Sequence, residues 1–251
     1  MHGECPICRG TGFEITTRDD GVLSAVRCSC NLENMGEQML RRARIPRRYD
    51  HCTFESFKIQ PADTSHAEAV HSAQEWAKMW PAVNNGLLFL GPPGTGKTHL
   101  AVAIARELIH TKRAQLLFYE QRDLMKTLQS TFDAGAAQRE SEVLGPVQDA
   151  ELLILDDLGA GRTTAWTRDV MHDVIAYRYN EQRPLIMTSN LSMGDEGVST
   201  RKTGRSLDGP LSLRDRLGDA LISRLFEMCK IVQLHGEDFR IRIGQVTRDY
   251  R

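Results

Sequence analysis

A glycine-rich segment, enclosed between a short apolar run and a helical stretch, restricts the folds open to this chain more than any other feature. Residues 91–98 fit the pattern G-x-x-x-x-G-K-[ST] and follow the apolar run 87–90. Glycines let backbone N–H groups curl around phosphate oxygens, the lysine adds a charge for the β- and γ-phosphates, and the threonine hydroxyl can ligate Mg²⁺. We therefore predict a nucleotide-binding loop formed by Gly91, Pro92, Pro93, Gly94, Thr95, Gly96, Lys97 and Thr98.

Two further apolar runs end in polar residues. The run 152–155 is followed by Asp156 and Asp157, which is the form of a Walker-B strand. Asp156 would hold Mg²⁺ through its water shell, and Asp157 would orient or deprotonate an attacking water. Asn190 follows the run 184–188 and could hydrogen-bond the γ-phosphate or that water, although an asparagine after a strand is usually a turn residue. Phosphoryl transfer to water is the leading prediction.

Short apolar strands alternate with helical stretches through most of the chain, which predicts an α/β fold with a parallel sheet covered on both faces. The strands are expected at 87–90, 115–119, 152–155, 184–188 and 230–234, and the helices at 97–110, 121–131, 166–182 and 213–228. Residues 192–212 are rich in Ser, Gly, Thr and charge, so we predict a mobile insertion there. Too few residues follow the last strand for a sizeable C-terminal lid.

Four of the six cysteines lie within the first 30 residues, as Cys5-x-x-Cys8 and Cys28-x-Cys30. Paired cysteines on short turns supply the four tetrahedral ligands of a structural Zn²⁺ site, and metal binding would contribute most of the folding free energy of so small a module. Four reduced cysteines without metal are the alternative. Cys52 and Cys229 are expected to pack in apolar surroundings. We predict a zinc-binding module over 1–47 and a second domain over 48–251.

Composition excludes several classes of protein. With 41% hydrophobic and 26% charged residues, the chain is expected to be globular. A net charge of −1 excludes a globally basic nucleic-acid binder, although it leaves room for a local basic patch. The longest apolar run, 100–105, has six residues, whereas a membrane span needs about 20. We expect a cytoplasmic protein without a membrane span or a signal peptide.

The chain resembles the AAA+ ATPases, and among them the DnaC-type helicase loaders and the IstB-like transposition helpers. The resemblance covers roughly residues 45–250 and rests on a succession of motifs. These are Ile45-Pro46-Arg47-Arg48-Tyr49, Thr53-Phe54-Glu55-Ser56-Phe57, both Walker motifs, Thr188-Ser189-Asn190, Leu221-Ile222-Ser223-Arg224-Leu225-Phe226-Glu227-Met228-Cys229 and Gly236-Glu237-Asp238-Phe239-Arg240. It implies an AAA+ domain with ATP and Mg²⁺ as ligands, assembled as a homo-oligomer.

The resemblance also implies individual roles. Asn190 corresponds to the sensor-1 residue, Arg224 to an arginine finger that reaches the γ-phosphate of a neighbouring subunit, and Arg240 to the sensor-2 arginine. A surface salt bridge is the alternative for either arginine. Many AAA+ enzymes carry Asp-Glu where this chain has Asp156-Asp157, so we expect slow hydrolysis stimulated by oligomerisation or DNA. DNA contact is implied by the resemblance, with Arg122, Lys126, Arg139, Arg201, Lys202 and Arg205 as candidate residues.

Four functions remain open from the sequence. The first is an ATPase that loads a replicative DNA helicase onto single-stranded DNA. It is favoured because helicase loaders resemble this chain in having an N-terminal zinc module, which implies that the module over 1–47 docks on the partner helicase. The second is an ATPase that assists a transposase on duplex DNA. The third is a nucleotide-switched adaptor with little turnover, and the fourth is a small-molecule kinase.

Overall fold

The computed structural model describes residues 5–17, 20–59, 64–83, 85–131, 136–161, 163–194 and 211–241. Within them lie the strands β1 (Phe13–Thr17), β2 (Leu23–Arg27), β3 (Gly86–Leu90), β4 (Leu116–Glu120), β5 (Leu152–Asp156), β6 (Leu185–Ser189) and β7 (Cys229–Gln233). The helices are α1 (Ser29–Arg42), α2 (Thr64–Met79), α3 (Lys97–Lys112), α4 (Gln121–Gln129), α5 (Ala136–Asp149), α6 (Ala165–Asn180), α7 (Leu213–Leu217) and α8 (Asp219–Met228).

Five of these strands form the predicted parallel sheet, in the order β4-β5-β6-β3-β7. The strands β3, β5 and β6 are buried along their whole length, as is typical of parallel strands covered on both faces. Because β6 lies between β3 and β5, the carboxyl ends of these three strands meet at one edge of the sheet. The α/β fold class and the five-stranded sheet are therefore confirmed.

The helices cover the sheet in two layers. Leu87 and Phe89 of β3 pack on one face, in a core that includes residues of α2 and α3. Leu88 and Leu90 pack on the opposite face, in a core that includes residues of α6 and α8. This alternation follows from the period of two along a strand. None of the described helices is long and apolar enough to span a bilayer.

The helical regions differ from the sequence-based expectation in two places. The helix predicted over 213–228 is wrong as a single element, because Gly218, with φ +89°, separates α7 from α8. The left-handed region at Gly218 favours glycine and interrupts the helical hydrogen bonds. Helix α5 lies in a stretch for which no element was predicted.

The N-terminal cysteines flank a small antiparallel hairpin formed by β1 and β2. Helix α1 follows directly, and its end contacts the sheet, since the backbone N–H of Phe118 donates to the carbonyl of Ala43 at 2.8 Å. Most of the predicted insertion, 195–210, lies outside the described residues. Its first residue lies against the residue that follows it, because the backbone N–H of Leu213 donates to the carbonyl of Ser192 at 2.8 Å.

A buried arginine joins three elements at the opposite edge of the sheet. Arg178 of α6 is fully buried, and its guanidinium donates to the carbonyls of Val147, Gln148, Ala150 and Pro184 at 2.8–3.1 Å. One side chain thereby satisfies backbone acceptors at the end of α5 and before β6. Buried carbonyl groups require such partners.

We expect Arg178→Met to lower the free energy of unfolding by about 3 kcal/mol or more, because several buried carbonyls lose their donor. Urea denaturation followed by circular dichroism measures the change. Arg168→Met, on the exposed side of the same helix, is the matched control and should shift the midpoint little. Equal effects of the two substitutions would contradict a structural role for the buried guanidinium.

Candidate functional site

The phosphate-binding loop lies at the carboxyl end of β3, tightly enclosed by two other segments. Gly96 has φ +97°, and a Cβ atom there would lie 2.4 Å from Cε2 of Phe57. Gly94 has φ +74°, and a Cβ atom there would lie 1.8 Å from Oδ1 of Asp238. Both positions therefore require glycine for backbone conformation and for space. The loop keeps its backbone accessible only because these two residues lack side chains.

Lys97 begins helix α3 beneath this loop. Its Nζ atom donates to the carbonyls of Gly91 at 2.8 Å and Pro92 at 2.6 Å. Burial lowers the pKa of Lys97 to about 8, against the opposing effect of the Asp156 and Asp157 carboxylates. The ammonium group is held at the loop by backbone oxygens, at a position where a phosphate would improve its solvation.

The carboxylate of Asp156 connects the loop helix to the two neighbouring strands. Its Oδ1 atom accepts hydrogen bonds from Thr98 at 2.7 Å and from Thr188 at 2.6 Å. Burial raises the pKa of Asp156, while these two hydroxyl donors act in the opposite direction. Mg²⁺ prefers oxygen ligands. The Thr98 hydroxyl and the Asp156 carboxylate lie in contact and supply two, so these residues fit the ion.

Asp157 and Asn190 lie together beside that donor pair. Asn190 Nδ2 donates to Asp157 Oδ1 at 2.8 Å, and the Asp157 backbone N–H donates to Thr188 Oγ1 at 3.0 Å. Asp157 has φ +58°, an uncommon conformation for a residue with a side chain. Functional sites are frequent locations of such backbone strain. The predicted acid and sensor residues are therefore brought into direct contact.

A cleft of about 740 Å³ extends from these groups across the loop. Its volume suits a nucleotide-sized ligand. Arg240, predicted to contact the nucleotide, lies in its wall, together with Arg48, which pairs with Glu120. Aromatic residues also line the cleft, and sequence reasoning assigned them no function: Tyr49, His51, Phe57, His66, His99 and Phe239.

Arg224, the predicted arginine finger, is not among the described residues that line this cleft. It lies on α8, where its Nη1 atom is 2.9 Å from Nε2 of His172 on α6. The structure thus separates the two predicted arginines. Arg240 is at the chain's own cleft, and Arg224 is on another surface.

The four N-terminal cysteines form a compact cluster. Sγ of Cys5 is 3.8 Å from that of Cys28, Sγ of Cys8 is 3.4 Å from that of Cys30, and all four ligand atoms lie within 4.8 Å of one another. Tetrahedral Zn²⁺ with bonds of about 2.3 Å requires sulfur separations of about 3.8 Å, so the cluster fits the ion.

The environment of this cluster lowers the pKa of two of the four thiols, whereas hydrogen bonding with Cys8 raises the pKa of Cys30. Backbone N–H groups of Cys8 and Ile7 lower the pKa of Cys5. Although burial acts in the opposite direction, hydrogen bonds from the Gly12 backbone and the Cys30 thiol lower the pKa of Cys8 to about 6. Thiolates are the form in which cysteine binds metal. The cluster can therefore hold a metal ion.

The remaining cysteines and basic residues are less informative. Cys52 and Cys229 are buried, and burial raises the pKa of their thiols to about 11 and about 12, in agreement with a role in packing. Arg122 and Lys126 are exposed on α4. The side chain of Arg139 lies outside the described part of the chain, as do the whole residues Arg201, Lys202 and Arg205.

We expect Gly96→Ala to lower the free energy of unfolding by about 1–3 kcal/mol, because a methyl group would clash with Phe57 and the backbone would be strained. The matched control is Gly145→Ala in α5, where a Cβ atom would meet nothing within 4 Å. This control should be neutral or stabilising, because alanine favours a helix. Chemical denaturation without nucleotide measures both. Unchanged stability of Gly96→Ala would show that the close packing is absent.

Comparisons with known proteins identify the family. The sequence profile described as IstB-like ATP binding protein matches residues 31–246. The chain is 26% identical over 235 residues to the phage-like element PBSX protein XkdC of Bacillus subtilis (strain 168), covering 90% of this chain and 79% of that protein. It is 28% identical over 178 residues to the replicative helicase loader DnaC of Buchnera aphidicola subsp. Baizongia pistaciae (strain Bp), covering 68% of this chain and 71% of that protein.

A solved structure agrees with these sequence matches. The crystal structure of the DnaC helicase loader superposes with a TM-score of 0.62 and 29% identity, covering 75% of this chain and 99% of that chain. The family profile spans most of the chain and includes the phosphate-binding loop at 91–98. The chain therefore belongs to the IstB-like ATP-binding family and has an AAA+ fold.

Proposed function

We propose that this chain is an AAA+ ATPase that loads a replicative helicase onto single-stranded DNA. The observation that carries the ATPase half is the contact of Thr98, Asp156, Asp157 and Asn190 beside the phosphate-binding loop. The helicase half is supported by similarity to proteins named replicative helicase loaders. The proposal needs both observations, because the family description specifies ATP binding and names neither hydrolysis nor a helicase.

The nucleotide would bind with its phosphates on the glycine-rich loop and on Lys97. Thr98 and Asp156 would hold Mg²⁺, which neutralises charge on the β- and γ-phosphates when it is bound. Asp157 would orient the attacking water or accept its proton, and the hydrogen bond from Asn190 would hold the Asp157 carboxylate in place. Asp157 is one methylene shorter than glutamate, so its reach toward the water is reduced. This difference supports slow turnover.

The positions of the two arginines support an oligomer. Arg240 lines the chain's own cleft and would contact its own nucleotide. Arg224 lies on another surface and would reach the γ-phosphate bound by a neighbouring subunit. A guanidinium in that position stabilises negative charge in the transition state. Hydrolysis would then depend on assembly of the homo-oligomer.

The cysteine module, proposed to span residues 1–47, would be held together by Zn²⁺ and would dock on the helicase. Its hairpin has an apolar face, because Phe13, Ile15 and Leu23 point to the same side and are 49%, 72% and 69% exposed. Exposed apolar side chains grouped on one face are typical of interaction sites. Zn²⁺ would supply the folding free energy that so small a core lacks.

A transposase partner is the second candidate, because the family description is IstB-like. The same nucleotide chemistry would then act on duplex DNA. A third outcome, a nucleotide-switched adaptor, would keep nucleotide binding and make turnover incidental. The two predictions that follow distinguish these possibilities.

Asp157→Asn is expected to reduce ATP hydrolysis by at least about 100-fold while ATP binding persists, because the substitution removes a general base and leaves the loop intact. Steady-state phosphate release and calorimetric ATP binding measure the two quantities. Asp123→Asn, an exposed acid on α4, is the matched control. Helicase loading that survives in Asp157→Asn would favour the adaptor over an ATP-hydrolysing loader.

The double substitution Ile15→Ser and Leu23→Ser should weaken capture of the helicase from host lysate by more than about tenfold. Two aliphatic side chains that would be buried against the helicase are removed. The full-length protein is used with ATP and Mg²⁺, and partners are identified by mass spectrometry. Met79→Ser, at an exposed apolar position on α2, is the control. Recovery of a transposase without a helicase would reject the loader.

A further inference from the structure

The side chain of His66, in the first turn of α2, is buried without a hydrogen bond. It is 2% exposed, and neither ring nitrogen has a partner among the described residues. An unsatisfied buried donor and acceptor destabilise a protein, and a leucine would fill similar space without this penalty. A buried polar group without a partner requires an explanation, and a ligand that supplies the partner is one.

His66 lies beside the phosphate-binding loop, where a bound nucleotide is the ligand within reach. His66 lies in the wall of the nucleotide cleft, and its ring contacts the ring of Phe57 edge-on, with centroids 5.8 Å apart and an angle of 85° between planes. The Phe57 ring in turn lies against Gly96 of the phosphate-binding loop. A single side chain, that of Phe57, therefore lies between His66 and the loop, in the aromatic part of the cleft.

His66 differs from the second imidazole in contact with Phe57. His99 also packs edge-on against Phe57, with centroids 5.2 Å apart. Its Nε2 atom, however, is already 2.8 Å from the carbonyl of Thr53, so its hydrogen-bonding capacity is partly used by the protein. His66 keeps its full capacity for a bound molecule.

We propose that His66 recognises the base of the bound nucleotide. The inference rests on the proposed nucleotide site: with the triphosphate on the loop, the base extends to the aromatic part of the cleft. A neutral imidazole offers one N–H donor and one acceptor nitrogen. The acceptor can receive a hydrogen bond from an exocyclic amino group such as that of adenine, and Phe57 and Phe239 offer faces for stacking.

The proposal predicts that His66→Leu weakens ATP binding without lowering the stability of the free chain. Calorimetry with Mg²⁺-ATP should show affinity about tenfold weaker than wild type, whereas affinity for Mg²⁺-tripolyphosphate, which has no base, should be unchanged. Thermal unfolding without ligand should occur at the same or a higher temperature, because a buried unsatisfied group is removed. His71→Leu, on the exposed side of the same helix, should change none of the three.

The outcomes separate this proposal from the proposed function. Equal weakening of ATP and tripolyphosphate binding, or no weakening of either, would overturn base recognition by His66. Failure of the wild-type chain to bind either compound would instead reject the nucleotide site. If His66→Leu does not fold, His66→Phe keeps the ring contact with Phe57 and removes the hydrogen-bonding groups. It should show the same selective loss of ATP affinity, and wild-type ATP affinity in this variant would refute the proposal.

Discussion

The buried carboxylate of Asp156 determines how the nucleotide edge of the sheet is assembled. A carboxylate that is 3% exposed is unfavourable unless hydrogen bonds replace its hydration. Those bonds come from Thr98 in the first turn of α3 and from Thr188 near the end of β6. Thr188 also accepts from the backbone N–H of Asp157. One charged group therefore holds the loop helix, the acid strand and the sensor strand in register.

The segment 43–57 runs from the end of α1 along the sheet to the nucleotide cleft. At one end, the Ala43 carbonyl that ends α1 accepts from the backbone of β4. In the middle, Arg48 pairs with Glu120 at the end of that strand. At the other end, Phe57 lies against Gly96. These contacts join the helix after the hairpin to the phosphate-binding loop through one short segment.

The sequence predicted the parts of the structure that depend on local patterns. The five strands, the phosphate-binding loop and the acid pair follow from apolar runs and motif spacing. Helix α5 was missed because Gly145 and Pro146 have low helix propensity, and tertiary contacts through Val147 and Arg178 hold it in place. The aromatic part of the cleft was missed for a related reason. His66 lies in no motif, Phe57 and Phe239 belong to motifs that carry the family resemblance but assign them no role, and only the fold brings the three rings together.

Two departures from ordinary burial coincide with the surfaces proposed to bind ligands. Polar groups are normally exposed and large apolar groups buried, so the exceptions are informative. His66 is polar and buried without a partner in the described cleft, whereas Ile15 and Leu23 are apolar and exposed on the hairpin. His66 leaves a buried donor and acceptor unsatisfied in the free chain, and a hydrogen-bonding base would supply the missing partner. The exposed apolar face of the hairpin would gain from being covered by an apolar protein surface. The first departure lies one residue from the phosphate-binding loop, through Phe57, whereas the second lies on the hairpin between the two cysteine pairs.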